Sequence, residues 1–222
     1  MPLAIECNAI LFDLDGVLVN SAARIEATWD KWARQHGLDP AHVIEMAHGR
    51  RTIETVRLVA PHLAGTDEVA RLEASESVNT EGVFEIQGAR ELLETLPADS
   101  WAIVTSGIRA VATIRIQYTR LPMPRVLVCA DEIDHGKPHP EGYLTAAARL
   151  GVAPVECVVI EDAPAGLEAA RAAGMRSIGV CGTYPADALS MADFIVVNIR
   201  SLRARESKST GRLVIALAGA AP

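Results

Sequence analysis

Short runs of β-branched and other apolar residues recur along the chain, and they lack the strict polar alternation of strands that have one wet face. Continuous apolarity is typical of strands covered on both sides, as in a parallel sheet. The pattern predicts strands over residues 9–15, 101–106, 125–130, 156–162, 176–181 and 193–198.

Alanine-rich stretches with helical spacing lie between these runs. Residues 141–151 and 164–174 are two of them, and each closes on a glycine where a helix C-cap would fall. Strand and helix patterns alternate from residue 88 to about residue 181. This alternation favours the α/β class, as a Rossmann-like doubly wound parallel sheet with right-handed crossovers.

The segment from about residue 20 to residue 80 breaks this rhythm, because its patterns are amphipathic and helical with no strand signal among them. We interpret residues 17–84 as an inserted, all-helical domain, with residues 1–16 and 85–222 as the α/β core. Residues 81–89 are expected to lead the chain back to the sheet. The last twenty residues hold a polar linker and one apolar run, for which we predict an added edge strand.

Composition narrows the possible partners and location. The 222 residues are half hydrophobic and carry a formal charge of -7, with scattered basic residues, which argues against a nucleic-acid binder. Four cysteines lie far apart without a CxxC pair, so we expect reduced core thiols in a cytoplasmic protein. We also expect no membrane span, no export and a monomer, with oligomers left open.

Polar side chains follow several predicted strands where those strands end: Asp13 and Asp15, Thr105 and Ser106, Glu161 and Asp162, and Lys137 in a following loop. Each group alone can also be a turn, a helix cap or a solvated loop residue. Ligands of open α/β sheets bind at the carboxyl ends of the strands, where these groups would meet. Clustered carboxylates need a hard cation such as Mg²⁺, and a neighbouring lysine and backbone amides suit a phosphate.

Four segments, FDLDGVLVNS, VTSG, GKPHPEGY and VVIEDAPAG, resemble motifs one to four of the haloacid dehalogenase superfamily in order and spacing. The helical insertion resembles the small cap of that superfamily. The stretches WDKWARQHGL and HGRRTIETV are similar to its sugar-phosphate and glycerol-phosphate phosphatase branch, which includes 2-deoxyglucose-6-phosphate phosphatases. The resemblance implies a phosphoric monoester hydrolase that acts on a small sugar or polyol phosphate.

The resemblance also implies roles for individual residues. Asp13 would be the nucleophile that forms an aspartyl-phosphate, and Asp15 the general acid and base. Lys137 would pair with the nucleophile and with phosphoryl oxygens, and Thr105 would donate its hydroxyl to the phosphoryl group. The amides of Ser106 and Gly107 would assist Thr105.

A magnesium site and a cap contact complete the implied set. Mg²⁺ would be held by Asp13, by the backbone carbonyl of Asp15 and by Asp162, with Glu161 either ligating it or holding a metal-bound water. Arg50 or Arg51 of the cap is expected to contact the substrate, although both could simply belong to the first turn of a surface helix.

Other reactions of the superfamily remain as alternatives. Dehalogenases lack the second aspartate of motif one, which is present here as Asp15 and argues against carbon–halogen chemistry. Phosphonatases need a cap lysine that forms a Schiff base, and Lys31 is the only lysine of the cap in this sequence. A phosphosugar mutase of the β-phosphoglucomutase type carries a cap histidine twelve residues after the nucleophile, where this chain has Ile25. A non-catalytic binding protein on the same fold is the remaining alternative, and it predicts loss of a charged site residue.

Overall fold

A computed structural model describes residues 3–218 of the chain. Its strands are β1 (Leu3–Cys7), β2 (Ala9–Phe12), β3 (Val19–Asn20), β4 (Phe84–Glu85), β5 (Trp101–Val104), β6 (Val126–Val128), β7 (Cys157–Glu161), β8 (Arg176–Val180), β9 (Phe194–Val196), β10 (Leu202–Glu206) and β11 (Leu213–Leu217). Its α-helices are α1 (Ala22–Gln35), α2 (Pro40–Ala47), α3 (Thr52–Val59), α4 (Thr66–Glu76), α5 (Ala89–Glu94), α6 (Arg109–Tyr118), α7 (Glu141–Leu150) and α8 (Pro164–Ala172).

The central sheet has six parallel strands in the order β6-β5-β2-β7-β8-β9. All six apolar runs predicted as strands form this sheet, and β2, β5, β6 and β7 are buried at every position. The predicted doubly wound α/β class is therefore confirmed. Because β2 lies inside the sheet with β5 and β7 as neighbours, whatever follows its last residue reaches the middle of the carboxyl edge.

Helices cover both faces of this sheet. Along β2, Ile10 and Phe12 enter one hydrophobic cluster with α5 and α6, whereas Ala9 and Leu11 enter a second cluster with α7 and α8. Since successive side chains of a strand point to opposite faces, a strand that is apolar at every position needs a cover on each side. The uninterrupted hydrophobicity of the strands therefore has a direct structural cause.

The segment from α1 to α4 packs around its own hydrophobic cluster, in which Trp29 and Trp32 meet edge to face at 5.4 Å between ring centroids. Both tryptophans are buried. Residues 81–89 connect the helical segment to the α/β core, and they contain no strand of the central sheet. Instead β4 pairs antiparallel with β3, so the chain leaves and re-enters the α/β core along two adjacent connections. The division at residues 17–84 stays a prediction, which the separate cluster supports.

The C-terminal segment differs from the expected single edge strand. Strand β11 is the centre of a separate antiparallel sheet of order β1-β11-β10, so the supposed polar linker contains a strand. Buried residues of β1, β10 and β11 join the same hydrophobic cluster as α5 and α6. Both β1 and β10 alternate between buried and exposed positions. Alternation over so few residues is a weak strand signal, which explains why neither strand is predicted from the sequence.

Two further expectations concern thiols and membranes. All four cysteines are free; Cys7, Cys129 and Cys157 are buried and Cys181 is partly buried. Among residues 3–218, every helix falls short of the length and apolarity needed to cross a bilayer.

We predict that the C-terminal sheet contributes to global stability. Replacing Ile215, which is 1% exposed, with alanine should lower the free energy of unfolding by about 2 to 5 kcal/mol, because the lost methylenes leave a cavity in the shared core. Denaturant unfolding would measure this. The matched variant Val214→Ala, on the other face of β11, should cost less than about 1 kcal/mol, and equal losses in the two variants would contradict the packing described.

Candidate active site

The carboxyl end of β2 carries Asp13, whose backbone N–H donates to the carbonyl of Ile160 at 3.0 Å and so extends the pairing with β7 by one residue. The chain then turns sharply, with the N–H of Gly16 donating to the carbonyl of Val19 at 2.8 Å. Gly16 has φ of 89°, and a Cβ there would lie 1.8 Å from Oδ2 of Asp162. Only glycine suits this turn, because a side chain would both strain the backbone and displace a carboxylate.

Lys137 brings a buried positive charge to this edge. Its Nζ donates to Oδ1 of Asp13, to Oε1 of Glu161 at 2.6 Å and to the carbonyl of Val104 at 3.2 Å, so all three of its protons have acceptors. Burial disfavours the ammonium, yet Asp13 and Glu161 outweigh that effect and hold the pKa of Lys137 well above its ordinary value. Lys137, which the sequence places in a loop, is therefore charged and held in a fixed position.

Glu161 accepts hydrogen bonds on both of its oxygens. Besides Lys137, the phenol of Tyr143 donates to Oε1 at 2.8 Å, and the backbone N–H groups of Asp162 and Ala163 donate to Oε2 at 3.0 and 3.1 Å. A Cβ on Gly166 would lie 1.7 Å from Oε1, so that glycine leaves the space that Glu161 occupies. Tyr143 lies on α7 and is a site contact that the sequence reading missed.

Asp13, Glu161 and Asp162 offer carboxylate oxygens that all lie within 4.8 Å of one another. Burial raises the pKa of Asp13 to about 7, against the lowering effect of Lys137, and it also raises the pKa of Asp162 well above the ordinary value, with Glu161 and Asp13 adding to the rise. Three buried carboxylates beside one ammonium form a crowded anionic set. All-oxygen donors in such a set fit a hard divalent cation such as Mg²⁺.

The end of β5 supplies Thr105, Ser106 and Gly107. Thr105 is buried, and its Oγ1 accepts from the N–H of Gly107 at 3.1 Å. The hydroxyl of Ser106 donates to the carbonyl of Gly49 at 2.9 Å, a contact between the α/β core and the helical segment. All three residues line the cavity described below, directly before α6.

Asp15 is held by two donors on the same oxygen. The hydroxyl of Ser21 donates to Oδ1 at 2.6 Å, and Nη1 of Arg115 lies 2.7 Å from that oxygen. Arg115 is only 3% exposed and was not among the residues predicted from the sequence. The sequence feature that could have indicated Arg115 is a charged residue on the same helix face as the buried Val111, Ala112 and Ile116.

Arg50 and Arg51 have different surroundings. Arg50 and His48 line the cavity, and Nη1 of Arg50 donates to the carbonyl of Met46 at 3.1 Å. Arg51 is not among the residues that line it. Its guanidinium donates to Glu54 at 2.8 Å and to the carbonyls of Ile133 and Asp134 at 3.0 and 2.9 Å. Substrate contact by Arg51 stays a prediction, and in this structure its donors fasten α3 to the loop that carries Lys137.

A cavity of about 240 Å³ opens above these groups. From the α/β core it is lined by Asp13, Asp15, Thr105, Arg115, Asp162 and Thr183, and from the helical segment by Ile25, Trp29, His48, Arg50 and Glu76. A small ligand held there would therefore touch the acidic cluster on one side and the helices on the other.

Comparison with known proteins decides the family. Residues 10–180 match the haloacid dehalogenase-like hydrolases. The chain belongs to that family. It is 41% identical over 201 residues to hexitol phosphatase A of Escherichia coli strain K12, with 88% of this chain and 93% of that protein covered. It is 37% identical to glycerol-1-phosphate phosphohydrolase 2 of Saccharomyces cerevisiae, with 91% and 86% covered.

The fold comparison agrees with this assignment. A hydrolase from Pseudomonas syringae of known crystal structure superposes with a TM-score of 0.76 at 26% identity, and the match covers 87% of this chain and 94% of that one. The predicted haloacid dehalogenase relationship and the predicted enzyme class, a phosphoric monoester hydrolase, are therefore confirmed. The residue roles within the site stay predictions.

We predict that the activity of this haloacid dehalogenase-like hydrolase requires the absence of a side chain at Gly16. Gly16→Ala should lower kcat/KM for phosphate release by roughly 100-fold, because a methyl group 1.8 Å from Oδ2 of Asp162 would displace that carboxylate. Steady-state phosphate release and thermal melting would be measured together. Gly65→Ala is the matched control, since its methyl meets nothing within 4 Å, and full activity of the Gly16 variant would refute the placement of Asp162.

Proposed function

We propose that the chain is a Mg²⁺-dependent phosphatase that hydrolyses small sugar or polyol phosphates through an aspartyl-phosphate on Asp13. The observation that carries the proposal is the buried cluster at the end of β2, where Asp13 lies between the Lys137 ammonium and the Asp162 carboxylate, with Asp15 two residues away. The nucleophile and the second carboxylic acid then line one cavity, and the ammonium contacts the nucleophile.

In the first step, one carboxylate oxygen of Asp13 attacks phosphorus, and the bond from phosphorus to the leaving oxygen breaks. Asp15 gives its proton to that leaving oxygen, so the product departs as an alcohol. Ser21 and Arg115 hold Asp15 through Oδ1, and we assign the proton transfer to the other oxygen, Oδ2. The pre-set orientation of Asp15 supports this role.

In the second step, Asp15 takes a proton from a water molecule, whose oxygen attacks the same phosphorus. The acyl–phosphate bond breaks, phosphate leaves and Asp13 is regenerated. Lys137 offsets the negative charge that gathers during both displacements. Its contact to the Val104 carbonyl, at 3.2 Å, is the longest of its three, and we propose that a phosphoryl oxygen replaces it.

Residues present in the cluster would hold Mg²⁺. We assign direct contact to the side chains of Asp13 and Asp162 and to the backbone carbonyl of Asp15. Glu161 already accepts four hydrogen bonds, so we propose that it fixes Lys137 and meets the metal through water. When bound, the cation would neutralise carboxylate charge and polarise the phosphoryl group. The Thr105 hydroxyl and the amides of Ser106 and Gly107 would hold the remaining phosphoryl oxygens.

The leaving group would occupy the part of the cavity formed by residues 17–84, which we propose act as a cap that closes over the site. Arg50 and His48 line that part, and we retain Arg50 as a substrate contact. The relatives named for hexitol and glycerol phosphates support a small polyol or sugar as the leaving group. A cavity of about 240 Å³ suits an alcohol of this size.

A phosphosugar mutase is the alternative reaction at the same site. The resemblance to that group predicts a histidine where this chain has Ile25, and Ile25 lines the cavity. An aliphatic side chain carries no proton to exchange with a sugar hydroxyl, so this observation favours hydrolysis.

We predict that Asp13→Asn abolishes turnover. In the presence of Mg²⁺, phosphate release from a panel of sugar and polyol phosphates should fall at least about 1,000-fold while the melting temperature stays near that of the wild type, because an amide is a poor nucleophile. Asp30→Asn is the matched control, as the Asp30 side chain is 41% exposed and pairs with Arg34 on its own helix. Retention of a tenth of the activity would contradict the nucleophile assignment.

Metal removal separates the two parts of the proposal. Chelation by EDTA should silence the wild-type enzyme, and added Mg²⁺ should restore it. Undiminished turnover in EDTA would contradict the magnesium assignment and leave the role of Asp13 standing.

A further inference from the structure

One buried arginine joins the reaction site to the helical segment. Nη1 of Arg115 lies 2.7 Å from Oδ1 of Asp15, and Nη2 lies 3.5 Å from Oε2 of Glu76, the last residue of α4. All three residues line the cavity. The guanidinium of Arg115 therefore bridges Glu76 and Asp15.

This arrangement leaves polar atoms without partners. Oε1 of Glu76 and Nη2 of Arg115 are buried, and within the described part of the chain neither has a hydrogen-bond partner. Such orphaned groups are rare in folded proteins because each one forfeits its bonds to water. Burial raises the pKa of Glu76, whereas the cations of Arg115 and Arg24 and a hydrogen bond from Thr28 lower it.

One chemical group satisfies both atoms. An alcohol hydroxyl is a donor and an acceptor at the same oxygen, so it can donate to Oε1 of Glu76 while it accepts from Nη2 of Arg115. An alkyl chain offers neither bond, and it would leave Oε1 of Glu76 and Nη2 of Arg115 buried without hydrogen bonds.

The location of the pair relative to the reaction narrows the ligand further. In the function proposed above, on which this inference rests, Asp15 protonates the oxygen that links the leaving group to phosphorus. A group bridged to Asp15 by a single guanidinium is close to the first carbons of that leaving group. We propose that Glu76 and Arg115 form a hydroxyl-binding subsite for the alcohol, and that it selects phosphate monoesters with a free hydroxyl on the carbon next to the ester.

The subsite makes a distinction within the sugar and polyol phosphates. Acyclic polyol phosphates carry a hydroxyl on the carbon beside the ester, whereas hexopyranose 6-phosphates carry a ring ether oxygen there. An ether oxygen can accept from Arg115 and cannot donate to Glu76. The subsite therefore favours the acyclic polyol phosphates.

Two three-carbon substrates test the subsite directly. Glycerol 1-phosphate and n-propyl phosphate share a chain length and differ in the hydroxyls, and the ratio of their kcat/KM values does not depend on the fraction of folded enzyme. We expect the wild type to prefer glycerol 1-phosphate by roughly tenfold or more. Glu76→Gln should lower that preference by roughly tenfold, because a neutral amide has one acceptor oxygen and cannot pair its charge with Arg115 while it accepts from the substrate hydroxyl.

The matched control is Glu73→Gln, one turn earlier on α4. Glu73 is also partly buried, but it is not among the cavity-lining residues, so its variant should keep the wild-type ratio. An unchanged ratio in Glu76→Gln, with both rates lowered equally, would overturn the subsite and assign Glu76 to the support of Arg115 and Asp15. A wild-type ratio near one would overturn the subsite and leave the phosphatase proposal intact, whereas a lack of hydrolysis of every sugar and polyol phosphate tested would contradict both.

Discussion

The ammonium of Lys137, buried between Asp13 and Glu161, is the interaction on which the rest of the site depends. Buried charges are tolerated only when they are paired and hydrogen-bonded, and removing one partner leaves the others uncompensated. The pairing draws together a loop that follows β6, the end of β2 and the end of β7. One cation thus fixes the spacing of three chain segments that are far apart in sequence.

The fold supplies the conditions for this pairing. Parallel strands bring their carboxyl ends to one edge, and the position of β2 inside the sheet puts Asp13 between its two neighbours. Gly16 and Gly166 then leave the volume that Asp162 and Glu161 fill, since a methyl group at either glycine would overlap a carboxylate. The helical segment is fastened to the same edge, where Arg51 binds carbonyls of the Lys137 loop and Ser106 binds the carbonyl of Gly49.

Much of this could be predicted from the sequence because its signals are local. Buried parallel strands are continuously apolar, and Asp13, Lys137 and Asp162 follow their strands within motifs that keep a fixed order. Contacts that depend on tertiary packing gave no comparable signal. Arg115 lies on α6, and its contacts with Asp15 and Glu76 join residues up to 100 positions apart in the sequence. Arg50 and Arg51 are adjacent in sequence, yet only the folded chain separates the cavity-lining arginine from the one that docks α3.

The central claim is that Asp13 carries the phosphoryl group between the two displacements. A direct test mixes the enzyme with Mg²⁺ and a polyol phosphate, quenches with acid within the first turnover, and maps the added mass by peptide mass spectrometry. The account predicts one phosphoryl group on the peptide that contains Asp13, and its loss on longer incubation. A phosphoryl group on another residue, or turnover with no phosphorylated peptide at any time, would contradict it.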